Sequence, residues 1–141
     1  MVGSAHSNKK YPPTSSLTKK YHPFYKSLGT IFCKALNDDV RFTNIGWKHI
    51  RFDSHQHRRL PANIAMRFNL LPYIPKVIKQ AKSYIKEEGK LKNGSEIIFY
   101  EIAEEVEANG KKKHVTVIIS EVVGGGKHYF SARYTRKKKN P

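Results

Sequence analysis

Residues 46–59, GWKHIRFDSHQHRR, set His49, His55 and His57 among Lys48, Arg51, Arg58 and Arg59, with Trp47 and a single carboxylate, Asp53, between them. Imidazoles titrate near neutrality and also ligate metals, so this density supports three readings. A zinc centre wants three or four N, S or O ligands backed by carboxylates or thiolates. Here the cations, joined further on by Arg67, repel a divalent ion, and Asp53 is the one carboxylate nearby. Neither a metal nor a cofactor is therefore expected. A solvated basic loop, the second reading, asks nothing of its histidines. Trp47 beside Lys48 and His49 argues against it, because an aromatic plane next to cations suits a stacked base and its phosphate.

The third reading is RNA cleavage without a metal. Ribose carries its own nucleophile, the 2′-hydroxyl, next to the scissile phosphate. A protein must add a base for that hydroxyl, cations for the charge that develops on phosphorus, and an acid for the departing 5′-oxygen. Histidine serves as either base or acid, Arg or Lys stabilises the charge, and a Ser, Thr or Tyr hydroxyl can orient the phosphate. The C-terminal segment KHYFSARY offers such groups. Strict alternation there places Lys127, Tyr129, Ser131 and Arg133 on one side, and His128, Phe130, Ala132 and Tyr134 on the other. Phe130 with Ala132 suits a buried face, so Ser131 and Arg133 are expected to look outward. His114 and His128 read as strand residues outside the site.

The elements that must position these groups follow from periodicity. Residues 1–14 are polar and hold Pro12 and Pro13, which suggests a mobile arm or an expression remnant; 15–135 form one domain and 136–141 a basic tail. Leu28, Ile31, Phe32 and Ala35 recur at helical spacing, with a possible upstream extension that Pro23 should break or kink. Residues 40–52 alternate and predict a short extended segment. Leu60, Ile64, Phe68, Leu71, Ile74, Ile78, Ala81 and Ile85 predict helix up to Gly89, interrupted at Pro72 or Pro75. EIIFYEIAEEVE, KHVTVIISEVV and KHYFSARY predict three antiparallel strands in meander order, the first turn at Asn109–Gly110 in a loop longer than two residues. The fold class is α+β, with N-terminal helices on one face of a small C-terminal antiparallel sheet of at least three strands and the other face open to a ligand.

Composition fits a polyanion partner. In 141 residues, 27 Lys and Arg against 11 Asp and Glu give a formal net charge of +16, a field that concentrates phosphates in a salt-dependent way. Carboxylates are absent from 1–37, 54–86 and 122–141, while Glu96, Glu101, Glu104, Glu105 and Glu107 cluster, so one acidic edge faces a basic remainder. Cys33 has no second cysteine to pair with and lies in an apolar run, where a buried inert thiol is expected. No run reaches the roughly 18 apolar residues of a membrane span, and the N-terminus lacks a signal-peptide core.

The order GWKHIRF, a further His–Arg cluster, LLPYIPKVIKQA, three strands and YFSARY resembles the Barnase–EndoU–colicin–RelE nuclease superfamily over about residues 42–135. The likeness is greatest to its toxin and phage-associated branches, including toxin domains of contact-dependent inhibition systems. The resemblance implies a metal-independent ribonuclease toxin, often directed at tRNA, with helices packed on a small antiparallel sheet. It places His49 as general base or acid, His55 or His57 as its counterpart, and Ser131 orienting the scissile phosphate that Arg58 and Arg133 hold. Lys48, Trp47, Arg58 and Tyr129 would bind substrate, with Thr116 a possible extra hydroxyl. The expected partners are RNA, tRNA first, and an acidic immunity protein over the basic face; the expected setting is a monomer in the cytoplasm of a target bacterium, delivered by a larger secreted protein. The rivals are a non-catalytic nucleic-acid-binding module, which predicts salt-sensitive binding without strand scission, and an interaction domain that docks an acidic protein.

Overall fold

The computed structural model describes residues 11–135. The tail at 136–141 and the first ten residues of the expected arm lie outside them, and within that arm Thr14 already opens a helix. Helix α1 (Thr14–Leu28) buries Leu17 and Tyr25 and packs Tyr21, Phe24 and Leu28 against the core. It runs through Pro23 without ending, which corrects the expected break. Pro23 and Lys19 are both exposed, so the carbonyl that loses its donor can turn to water. Gly29 ends the helix at φ +56°, a left-handed conformation that costs glycine little.

The segment expected to be helical around Ile31 and Phe32 is instead a hairpin, β1 (Thr30–Cys33) with β2 (Asp38–Arg41), Ile31 opposite Val40. Branched and aromatic side chains in TIFC favour the pleated form over a helix that matched only in spacing. The reverse error occurs next. Residues 44–51, expected to be extended, form helix α2 (Asn44–Arg51), because Gly46, Trp47 and Ile50 fall on one buried side. Helix α3 (Pro61–Leu70), a 3-10 turn (Leu71–Tyr73) and helix α4 (Ile74–Gln80) follow, with Pro61, Pro72 and Pro75 all in first turns where their missing N–H is harmless. The expected helix ends short of Ile85, which begins strand β3 (Ile85–Lys90).

Strands β4 (Glu96–Ala108), β5 (Lys111–Val122) and β6 (Lys127–Tyr134) form the expected meander. Asn109 and Gly110 alone make the first turn, both at positive φ, so the expected longer loop gives way to a two-residue connection. The sheet order is β1-β2-β6-β5-β4-β3, antiparallel throughout except where β2 runs parallel to β6 at Val40–Lys127 and Arg41–His128. This is the expected α+β class, with six strands. Tyr100, Ile102, Val117, Ile119, Tyr129 and Ala132 are buried in one core with Phe68, Leu71, Ile74 and Ile78. Each large side chain there contributes about 1.5–3 kcal/mol through burial. No helix among the described residues is long and apolar enough to cross a membrane.

One irregularity sets the outer face. Opposite β5, Ile118 pairs with Ser131 but Ile119 pairs with Tyr129, so Phe130 is an extra residue, a β-bulge. Alternation therefore slips by one. Tyr129 and Ala132 both enter the core, at 1% exposure each, while Phe130 and Ser131 stay half-buried outside it. The expected facing of Phe130 and Tyr129 is thereby reversed.

Helix α2 approaches this bulge closely because Gly46 has no side chain. A β-carbon there would sit 2.4 Å from the Tyr129 ring and 2.5 Å from the Tyr129 carbonyl oxygen. Gly46→Ala is expected to destabilise the fold by about 1–3 kcal/mol through overpacking, lowering the melting temperature by several degrees in thermal denaturation; an unchanged transition would show that α2 can slide away freely.

Candidate functional site

Where α2 ends, the chain folds into a tight loop closed by a bridge between Phe52 and Arg58. Asp53 organises it: its Oδ1 accepts from the backbone N–H groups of His55 and His57 at 2.9 Å each, an Asx-type closure. These bonds, with the nearby His55 and His57 rings, hold the Asp53 carboxyl below its ordinary value. Between this loop and the open sheet face lies a cleft of about 360 Å³, lined by Lys48, His49, Phe52, Ile97, Phe99 and Phe130 among others.

His49 stands at its inner end. Its ring centroid is 4.1 Å from that of Phe130, and Phe130 in turn meets Phe99 edge-on at 5.2 Å. Arg59 fixes the histidine from the far side of the loop. Its Nε donates to the His49 carbonyl at 2.9 Å, while Nη2 lies 3.0 Å from Nδ1 and 3.4 Å from Nε2. Near-equal distances to both ring nitrogens put that guanidinium over the imidazole rather than on either lone pair. Burial, reinforced by Arg59 and Arg67, pushes the His49 pKa down to about 4, so the ring is neutral at pH 7 with a nitrogen able to accept a proton.

Arg67, from α3, joins this cluster to the last strand. Its Nη1 donates to Ser131 Oγ at 2.5 Å and its Nε to Asn63 Oδ1 at 2.6 Å. Burial, then Arg59 and Arg133, lowers its pKa to about 10. Neither Arg59 nor Arg67 has a carboxylate partner among the described residues, whereas Arg133 reaches Glu101 at 3.4 Å. Because Ser131 Oγ accepts from Arg67, its own O–H remains free to donate. The result is a cationic corner, offset only in part by Asp53, with a hydroxyl and a neutral imidazole beside a largely apolar cleft, an arrangement suited to an anion with a planar neighbour.

His49 and Lys48 thus line the cleft, while Ser131 and Arg133 do not; Ser131 follows Phe130, on which His49 rests, and is held by Arg67. Other expected residues lie elsewhere. Trp47 is only 8% exposed and packs on Tyr25 and Phe68, so it has no face for a nucleotide base. Tyr129 is core, and burial raises its phenol pKa well above the ordinary range. Thr116 is 3% exposed and shares a hydrogen bond with Thr135, so the solvent-facing hydroxyl is not available. His55 and His57 ride on the loop outside the cleft lining, His57 Nδ1 lying 3.7 Å from Asp53. Arg58 stacks over Phe52, its guanidinium 5.9 Å from the ring. Arg59, Arg67, Phe99 and Phe130 stand outside the site expected from the sequence; the one available signal was Arg67, the single charged residue of a mostly apolar helix. No cluster of three or more His, Cys, Asp or Glu among the described residues is arranged to hold a metal ion.

The family model described as "Large polyvalent protein-associated domain 3" matches residues 14–129, from the start of α1 to the core tyrosine of β6. Its description records association with large polyvalent proteins and no nuclease activity. No curated protein and no solved structure matches the chain.

The low His49 pKa has a stability consequence. Above pH 6.5 the ring is neutral folded and unfolded alike. As pH falls from 6.5 toward 4 the unfolded chain gains a proton that the folded one refuses, so stability declines across that window and the loss levels off below it. The urea midpoint of the wild type is expected to fall more between pH 7 and 4 than that of His49→Gln, with His49 ring resonances titrating near 4 by NMR. Titration near 6.5 would contradict the burial and crowding described for this ring.

Proposed function

The chain belongs to the large polyvalent protein-associated domain 3 family, and on the geometry of its cationic cleft we propose that it is a metal-independent endoribonuclease module. The observation that carries this reading is the neutral His49 imidazole held beside two cations, Arg59 and Arg67, that have no carboxylate partners among the described residues. In the proposed step the ribose 2′-oxygen gives its proton to His49 and bonds to phosphorus. The bond to the 5′-oxygen breaks, and that oxygen takes a proton from the loop, His57 or His55. Arg67 and Arg59 bear the charge of the phosphorane, and Ser131 donates to a non-bridging oxygen. The products are a 2′,3′-cyclic phosphate and a 5′-hydroxyl.

Transfer RNA is the proposed substrate, and a toxin role within a larger delivered protein is the proposed setting, its action falling in the cytoplasm of a target bacterium. An acidic immunity protein covering the cationic corner is the proposed partner. The large positive charge supports both a polyanionic substrate and an acidic inhibitor. One observation favours a second reading, RNA binding without cleavage: His55 and His57 do not line the cleft, so an acid for the leaving group must come from movement of the loop.

Bulk tRNA incubated with the protein in EDTA separates the two. Cleavage to cyclic-phosphate ends is expected, with His49→Ala slower by about 10²–10⁴. Because His49 must be unprotonated to act as base, kcat/KM should hold down to about pH 4 before falling on its account. Intact RNA at high protein concentration, with salt-sensitive binding retained, would establish the binding module instead.

A further inference from the structure

We propose that the cleft beside His49 receives one unpaired nucleobase, stacked on Phe99, with Gln56 contacting its edge. This rests on the RNA reading above but not on cleavage. The walls are apolar and aromatic: Phe52, Ile97, Phe99 and Phe130. Phe130 is already engaged with His49, and it meets Phe99 at 60°, so the two rings form a corner rather than a closed slot. Phe99 has no other aromatic contact among the described residues, which leaves it as the platform. A cleft of about 360 Å³ has room for a base and part of its ribose.

The rim selects the class of occupant. Apolar walls alone would take any flat hydrophobic group. Here Lys48 and His49 line the same cleft, and the Arg59 guanidinium stands 3.0 Å behind the His49 ring, so the occupant is a flat group whose neighbour is an anion, as in a nucleotide. Paired bases keep their faces inside the stack, so only a single strand or a splayed loop can present one. Gln56 lines the same cleft from the loop, and its side chain makes no hydrogen bond among the described residues. Its backbone sits at φ +65°, a conformation few non-glycine residues adopt, held by its own N–H donating to the Asp53 carbonyl at 3.0 Å. An amide with donor and acceptor free is suited to the Watson–Crick edge of a base.

The test uses short labelled 2′-O-methyl RNA, which lacks the nucleophile and reports binding alone, measured by fluorescence anisotropy at fixed salt. The single strand is expected to bind at least tenfold more tightly than the same strand in a duplex. Phe99→Ala should erase that preference, with a loss of about tenfold or more in single-strand affinity, while Phe99→Tyr retains it. Gln56→Ala, an exposed loop change, should alter the ranking of oligo-A, oligo-C and oligo-U while leaving duplex affinity unchanged. Equal affinity for single strand and duplex overturns the proposal, as does an unaltered base ranking in Gln56→Ala. A protein that cleaves tRNA yet shows no single-strand preference sinks the base pocket alone; single-strand preference without cleavage sinks the catalytic reading alone.

Discussion

Phe130, the residue that β6 carries in excess of β5, governs the rest of the outer face. In a regular strand one side of Tyr129–Ala132 would alternate with the other, and a core that takes Tyr129 would have to expose Ala132. The bulge lets both enter the core and turns two consecutive residues, Phe130 and Ser131, away from it. Each then captures a helix. Phe130 supplies the surface on which the α2 imidazole rests, and Ser131 accepts the α3 guanidinium. The absence of a side chain at Gly46 completes the constraint, since α2 lies against Tyr129 at a separation that excludes any β-carbon.

Two half-buried cations show how differently the fold treats positive charge. Burial pushes the Lys127 ammonium down, but Asp38 at 2.9 Å and Glu121 at 3.4 Å more than offset it and its pKa is raised. That cation fastens β2 and β5 across β6 and is satisfied where it stands. Arg67 is desolvated too, yet it finds a hydroxyl, an amide and a carbonyl rather than a carboxylate, and further arginines crowd it. A partner anion would relieve the second site and gain nothing at the first. Most of the acidic residues lie on β3 and β4, away from Arg67, where Glu105 faces His114 and Glu107 is paired across the ladder with Lys112.

The class of fold was legible because β4, β5 and β6 are long, alternate clearly and are joined by Asn109–Gly110 and a glycine run. The helices α3 and α4 were legible because apolar residues recur at their spacing and the prolines fall where first turns allow them. Residues 28–52 were not, since short apolar runs satisfy both periods: Ile31 and Phe32 fit a helix by spacing and a strand by shape, while Trp47 to Phe52 did the reverse. Only contacts distant in sequence, such as Ile31 with Val40 and Gly46 with Tyr129, decide between them. For the site, His49 and Ser131 were readable from residue type, but the bulge that brings Phe130 outward leaves no mark in alternation. Trp47 and Tyr129 therefore sit in the interior, while the half-buried Phe99 and Phe130 line the cleft.

The strand order carries one more implication. β6, latest of the six in sequence, lies between β2 and β5, inside the sheet rather than at its rim. During synthesis the ribosome releases β1, β2 and every helix before the strand they must flank, so the early hairpin has no inner neighbour until β6 emerges. The cleft then closes in the same event that finishes the sheet. A nascent chain short of Phe130 has neither the wall nor the Ser131 hydroxyl, so the outer face takes its final form only with the last strand.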